Sequence, residues 1–427
     1  MAVPKLSVRG QRALKPALSY WGLTTEALKT EATEANLDGQ VIVSVSENRI
    51  FNSTKFLNKL HNSLAKVEKP ALGYDDFTGR RGFKEAYAAF ANDTLLPASS
   101  KGINPAHVCV SSGVGSLLAH LSSIFQDPGD GILLATPTYG ALYNDFTVSA
   151  GAKVIDVPMT KDYELSVELF DAAYNQARSN NITPKSVVLL NPDNPLGVIR
   201  GRDLLIELSR WCEEKGLHFI VDEIYANSIH TPENSAYPFE SAVAVLGNNE
   251  SEFTTLPEHV HVLWGFSKDW ATSGLRAGVI YSSNQDVYNA LSNVLYFSGV
   301  SNYLLDGLAT MLQDLPWCKQ YLAENNALLH DAYASVAQVL ESHNVPFVPA
   351  SSGMFVWIDL RRCLSSPTWE AEQELMEIMF THGKFVMTPG EAQHAPAPGY
   401  FRICFGYNTP KVVAHGLNRT LEYLNHK

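Results

Sequence analysis

Residues 187–225 read VVLLNPDNPLGVIRGRDLLIELSRWCEEKGLHFIVDEIY. The run Val187-Val188-Leu189-Leu190 is apolar at every position, without the alternation of a half-exposed strand, so it predicts a short strand buried on both faces. Leu204, Leu208, Trp211 and Cys212 then fall on one face of a helix, and Gly216 stands where a left-handed residue ends it. Phe219-Ile220-Val221 is a second buried strand. A strand, a helix and a strand in succession make neighbouring parallel strands with the helix packed on the sheet. Working outward, Ile132-Leu133-Leu134 upstream and Val260-His261-Val262-Leu263 downstream repeat the apolar run. The expectation is an α/β fold whose mostly parallel sheet is covered on both faces.

The end of the chain reads differently. Ser366-Pro367 has the look of a helix cap followed by proline at the first helical position, opening a helix through about Phe380. Val413, Leu417, Leu421 and Leu424 form the apolar stripe of a last helix. With strands over Phe347–Leu360 and Phe401–Phe405, these residues predict a smaller α+β unit. The expected organisation is an N-terminal arm and part of a small domain over 1–72, a large domain over 73–319, and the C-terminal small domain over 320–427.

The 427 residues are enough for roughly two or three domains and a sizeable core. Hydrophobic residues make up 45% and charged residues 18%, the balance of a globular chain. Lys plus Arg number 32 against 44 Asp plus Glu, a net charge of −12. That argues against nucleic acid and anionic membrane surfaces as partners. No apolar run approaches the roughly 20 residues of a membrane-spanning helix. Cys109, Cys212, Cys318, Cys363 and Cys404 are scattered without metal or redox spacing, which predicts free thiols, a reducing compartment and a cytoplasmic location. Lys5, Arg9, Arg12 and Lys15 precede the first acidic residue, Glu26, in the manner of a mitochondrial transit peptide. Pro4 and Pro16 bracket that stretch and interrupt an amphipathic helix, so an N-terminal arm is the favoured reading.

Ligands of open α/β sheets bind beyond the carboxyl ends of the strands, where four polar signals occur in this chain. After Val108-Cys109-Val110 comes Ser111-Ser112-Gly113-Val114-Gly115-Ser116, a turn that presents backbone N–H groups at a helix start and suits a phosphate. After Leu190 comes Asn191-Pro192-Asp193-Asn194-Pro195-Leu196-Gly197, whose prolines and glycine fix an irregular path. After Val221 comes Asp222-Glu223-Ile224-Tyr225; Asp222 there is either a functional carboxylate or the cap of the next helix. After Leu263 comes Trp264-Gly265-Phe266-Ser267-Lys268-Asp269, then Arg276 and Gly278. A lysine among aromatics at a buried strand end is costly unless its amine is neutralised or covalently used.

Together these residues resemble the fold-type I pyridoxal-phosphate enzymes, aminotransferase class I/II, over nearly the whole chain. Within that superfamily they are most similar to the aminocyclopropane-carboxylate synthase-like group. The resemblance is carried by Leu6-Ser7-x-Arg9-Gly10, by Ser46-Glu47-Asn48 after Ile42-Val43, and by Ser267-Lys268-Asp269. It is carried too by Gly353-Met354-Phe355-x-Trp357-Ile358-Asp359-Leu360 and by Tyr400-Phe401-Arg402-Ile403-Cys404-Phe405.

The resemblance implies a large domain with a mostly parallel seven-stranded sheet, a small domain from both chain ends, and pyridoxal 5'-phosphate as cofactor. It makes Lys268 the Schiff-base lysine and mover of protons at the substrate α-carbon. Asp222 faces the pyridine nitrogen, Asn194 and Tyr225 donate to the ring oxygen, and Tyr139 stacks on the ring. Val114, Gly115, Ser267 and Arg276 hold the phosphate. Tyr74 reaches the phosphate of the neighbouring subunit, which implies a homodimer with shared active sites. Arg402 clamps the carboxylate of a small amino-acid substrate, and Glu47, if it is not a turn or capping residue, meets a cation on that substrate.

Two positions depart from the family pattern. Gly265 stands where a serine usually gives its hydroxyl to the phosphate, and Phe77 stands where plant-type synthases carry tyrosine. Transamination or C–S elimination on an amino acid is therefore ranked above authentic aminocyclopropane-carboxylate formation from S-adenosylmethionine. The alternative of another class is a homologue without catalysis that serves in binding or regulation.

Overall fold

Each apolar run becomes a strand of one sheet. The structure, a computed structural model, describes residues 4–14, 18–51 and 53–426. Its strands are β1 Val41–Ile42, β2 Val108–Ser111, β3 Gly131–Thr136, β4 Lys153–Pro158, β5 Pro184–Leu190, β6 His218–Asp222 and β7 Val260–Gly265. They continue with β8 Gly278–Ser282, β9 Phe347–Val348, β10 Phe355–Asp359, β11 Phe385–Val386, β12 Thr388–Pro389 and β13 Tyr400–Cys404. Seven of them form the main sheet in the order β2-β8-β7-β6-β5-β3-β4. Neighbours from β7 through β4 run parallel, and β8 runs antiparallel to both β2 and β7.

Unbroken apolar strands need cover on both faces, and they have it. Val188, Leu190 and Ile220 enter one core cluster, while Val187, Leu189, Phe219 and Val221 enter the other. The helix Arg202–Lys215 lies against the second through Leu205, Leu208, Trp211 and Cys212, and Gly216 closes it in the left-handed conformation. Each large side chain so buried contributes about 2 kcal/mol. The first cluster continues into the C-terminal region through Val356, Ile358, Phe401 and Leu417, so one core joins the main sheet to the smaller sheets.

The smaller sheets are the four-stranded β12-β13-β10-β9 and the two-stranded β1-β11, in which Val41 and Ile42 pair in parallel with Phe385 and Val386. The N-terminal segment is thereby stitched to residues near the end of the chain. The stretch expected as one strand over Phe347–Leu360 is instead the antiparallel pair β9 and β10, with Trp357 opposite Val348. Pro349 has no N–H for a continuing ladder, and Gly353, at φ +72°, turns the chain back. The helix expected to start at Ser366-Pro367 starts at Trp369, with the Thr368 side chain accepting from the Ala371 N–H at 3.3 Å. Its regular part ends at Ile378, and a wider turn over Met379–Gly383 follows. The last helix runs over Pro410–Asn425.

At the N-terminus, Val8–Arg12 forms a short helix capped by the Ser7 hydroxyl, which accepts from the Gly10 N–H at 3.1 Å. Lys15 and Pro16, invoked above, lie outside the described residues. All five cysteines are unpaired thiols, and among the described residues no helix is long and apolar enough to cross a membrane.

Candidate active site

The carboxyl ends of β5, β6 and β7 and the helix that follows β2 converge on one cavity of about 270 Å³. Lys268, Asp222, Asn194, Tyr225, Tyr139, Val114, Gly115, Ser267 and Arg276 all line it. The structure thus brings together nine residues spread over positions 114 to 276 of the chain.

Lys268 follows β7, and its Nζ donates to the backbone carbonyl of Ser46. Desolvation drives its amine down to about 8; the nearby Cys404 and Glu47 oppose the shift, and Arg402 and Arg276 add to it. Among the described residues no carboxylate lies within ion-pair distance of it. Such a lysine is poised to act as a neutral nucleophile. Asp222 ends β6 and is almost fully buried. Burial pushes its carboxyl up to about 7, against the pull of the Ile224 N–H, bound at 3.1 Å, and of Lys268. A buried carboxyl without a paired cation is held at a cost that a cationic ligand would relieve.

Asn194 leaves β5 through a loop fixed from below. Asp193 and Arg200 pair at 2.7 Å with both side chains nearly inaccessible, and the Gly197 carbonyl accepts from the N–H groups of Ser351 and Ser352 at 2.8 and 3.1 Å. The Asn194 amide is oriented by its partners: Oδ1 accepts from Arg402 Nη1 at 3.0 Å, and Nδ2 points to the Tyr225 hydroxyl at 3.5 Å. Tyr225 therefore has an acceptor lone pair engaged and its O–H free to donate.

The turn after β2 forms a cradle. Gly113 has φ +93°, and a Cβ there would stand 2.5 Å from Arg276 Nη2. A Cβ on Gly278 of β8 would stand 2.6 Å from the Val114 nitrogen. Both glycines let backbone and guanidinium close on one small volume at the start of the helix Val114–Phe125, whose first N–H groups have no intrahelical partner. Gly265 is explained in the same way: a Cβ there would lie 3.0 Å from the Ala277 carbonyl oxygen and 3.1 Å from Ile224 Cδ1. A serine would need the Ala277 carbonyl and the Ile224 side chain to give way slightly.

Arg402 and Glu47 stand beside the cavity. Arg402 is fully buried, with Nη2 donating to the Ser44 carbonyl at 3.0 Å and to Thr388 Oγ1 at 3.1 Å, and with the guanidinium over the Phe355 ring at 4.5 Å. Its Nε has no partner, and among the described residues no carboxylate pairs with it. Glu47 Oε1 accepts from the Ser273 hydroxyl at 2.7 Å. Tyr74 is not brought into this cavity; it is 91% exposed, next to Phe77 and near Tyr296 and Phe297.

Three polar lining groups were not foreseen. The Ser46 contribution is a backbone carbonyl, which no side-chain pattern reveals. Ser273 carries no motif. Asp145 is a polar residue on the helix Ala141–Thr147, and burial together with the charge of Asp222 pushes its carboxyl up to about 7.

A desolvated lysine amine, a buried carboxyl, two phenols and an anion cradle fit pyridoxal phosphate. The cradle that two added Cβ atoms would fill is the specific match to its phosphate.

Residues 39–419 match the family described as aminotransferase class I and II. The 1-aminocyclopropane-1-carboxylate synthase-like protein 1 of Homo sapiens is 29% identical over 419 residues, covering 95% of this chain and 81% of that one. The 1-aminocyclopropane-1-carboxylate synthase 8 of Arabidopsis thaliana is 30% identical, covering 82% of this chain and 74% of its own length. Among solved structures, an aspartate aminotransferase of Thermus thermophilus superposes with a TM-score of 0.79 at 19% identity, over 98% of this chain and 100% of the other.

Proposed function

The chain belongs to the aminotransferase class I and II family and is a pyridoxal-phosphate-dependent transferase or lyase, and from that premise we propose that it acts on an L-amino acid or amino-acid derivative by carbanion chemistry at the α-carbon. The observation that carries this reading is the placement of Lys268 and Asp222 on the wall of one cavity, the amine pushed down to about 8 and the carboxyl up to about 7.

When bound, the cofactor supplies an electron sink for the electron pair left at the substrate α-carbon. The residues of the chain do the rest. Lys268 holds the cofactor and then takes and returns the α-proton. Asp222 would accept from the protonated nitrogen of the cofactor, a charge partner that would return its carboxyl to the ionised form. Asn194 Nδ2 and the Tyr225 hydroxyl would donate to the cofactor, and Tyr139 would pack against it. The N–H groups of Val114 and Gly115, the Ser267 hydroxyl and Arg276 bind the phosphate.

Arg402 receives the substrate α-carboxylate, which would be the carboxylate its buried guanidinium lacks. Glu47 faces a positive group elsewhere on the substrate. Transamination or C–S elimination is favoured over aminocyclopropane-carboxylate formation because Phe77 stands where a tyrosine is expected. The working unit is a homodimer in which Tyr74 reaches the phosphate of the second subunit. Its 91% exposure, together with 80% for Phe297 and 77% for Leu72, leaves an aromatic surface for a second copy to cover. Five free thiols favour a cytoplasmic location.

The test is the near-visible absorbance of the purified protein before and after adding amino acids or S-adenosylmethionine without any keto acid. Conversion to the pyridoxamine form that stops after one half-reaction means a transaminase. Unchanged absorbance with continuing product release means a lyase or synthase. A protein that takes up no pyridoxal phosphate overturns the reading.

A further inference from the structure

Glu47 is a carboxylate with a single strong tie. Its Oε1 accepts from Ser273 Oγ at 2.7 Å, and among the described residues no lysine, arginine or histidine pairs with it. Glu47 exerts a charge effect on Arg49 and on Lys268, but the Arg49 guanidinium is engaged by Glu31 at 2.9 Å and lies over the Tyr407 ring at 4.5 Å, and Lys268 Nζ donates to the Ser46 carbonyl. Ser273 and Ser46, the chain neighbour of Glu47, both line the cavity. Ser273 also accepts from Arg276 Nη1 through its own carbonyl at 3.0 Å. One residue thus ties the acidic group beside the cavity to the arginine of the anion cradle.

We propose that Ser273 is a positioning residue: its hydroxyl holds Glu47 toward the cavity and away from Arg49, and so sets a preference for substrates with a positive charge near the reacting end. This rests on the reading that Glu47 meets a substrate cation. A charged hydrogen bond of 2.7 Å is among the stronger single contacts a side chain makes, and without it the carboxylate is free to turn toward Arg49. The effect belongs to cationic ligands alone, because Ser273 does not act through the α-carboxylate contact at Arg402.

The experiment titrates the near-visible absorbance of the holoenzyme with S-methyl-L-methionine and with L-methionine, which share a skeleton and differ by a methyl group and a positive charge. The readout is the ratio of the two apparent dissociation constants. Glu47→Gln is expected to reduce the preference for the sulfonium about tenfold, and Ser273→Ala about fivefold. Ser273→Thr, which keeps the hydroxyl, is expected to retain the preference, and Ser273→Ala in the Glu47→Gln background to add nothing. An unchanged ratio in Ser273→Ala beside a loss in Glu47→Gln overturns the role of Ser273 while leaving that of Glu47. An unchanged ratio in Glu47→Gln overturns the reading of Glu47 and the inference with it. Equal weakening of both ligands in Ser273→Ala makes its role merely structural and also overturns the proposal.

Discussion

Two arginines mark opposite ends of the cavity region, and they reach it by opposite routes. Arg276 is exposed, follows Lys268 closely in the chain, and is aimed by its own left-handed backbone at φ 54° and by the nearby Ser273 carbonyl. Arg402 is fully buried and held by Ser44, Asn194 and Thr388, groups brought from three separate stretches of sequence. The Arg276 end therefore takes its arginine from a local turn set against the turn after β2, and the Arg402 end is held by tertiary assembly alone. Local construction tolerates solvent and loses little when one group is removed; assembled construction concentrates its effect in one desolvated charge.

The largest expected effect lies between the two ends. Lys268→Ala should lower turnover about ten-thousandfold and abolish the lysine-linked absorbance, with circular dichroism unchanged; an active variant would remove the centre that both ends share. Arg402→Leu should come next, lowering kcat/KM about a thousandfold while cofactor affinity changes little, as read by steady-state kinetics and equilibrium dialysis. If Arg276→Ala harms kcat/KM as much as Arg402→Leu does, the contrast between exposed and buried ends collapses. Gly113→Ala should weaken cofactor retention about tenfold, because it puts a side chain at φ +93° and 2.5 Å from Arg276 Nη2. Substrate binding by the loaded fraction should survive, which separates the two ends by a second criterion.

The smallest effect is one of pH. In the proposed role Lys268 would bond the cofactor as the neutral amine, and burial drives its pKa down to about 8 from an ordinary 10.5. The rate of cofactor uptake by the apoprotein should therefore rise with pH and level off above about 8. A rise that continued toward 10.5 would mean that the lysine is solvated like a surface residue.

The same contrast explains what could be read from the sequence. The ends of β5, β6 and β7 were legible because an apolar run followed by Asn, Asp or Lys is a local pattern. Strand β4 was not, since most of Lys153–Pro158 is incompletely buried and carries no apolar run. Strand β8 is fully buried but short and antiparallel, with Gly278 opening it beside the cradle. The Ser366 cap gave way to Thr368 because a residue before proline is extended whether or not it caps a helix, and the Thr368 hydroxyl is in reach of the Ala371 N–H. Arg402 could be named from its motif, but its partners at Ser44 and Thr388 could not, since a backbone carbonyl and a threonine hundreds of positions apart share no pattern.

The helix Leu315–Ser342 is 28 residues long, about 42 Å of nearly rigid rod. Part way along it, Asn325 donates to the backbone carbonyl of Asp269, next to Lys268, and accepts from Asn48, next to Glu47, at 3.1 and 2.8 Å. That makes Asn325 a rivet: beyond it the rod is sunk in the first core cluster through Leu329, Val336 and Leu340, so the lysine loop and the acidic segment are both fastened to the body that joins the main sheet to the smaller sheets.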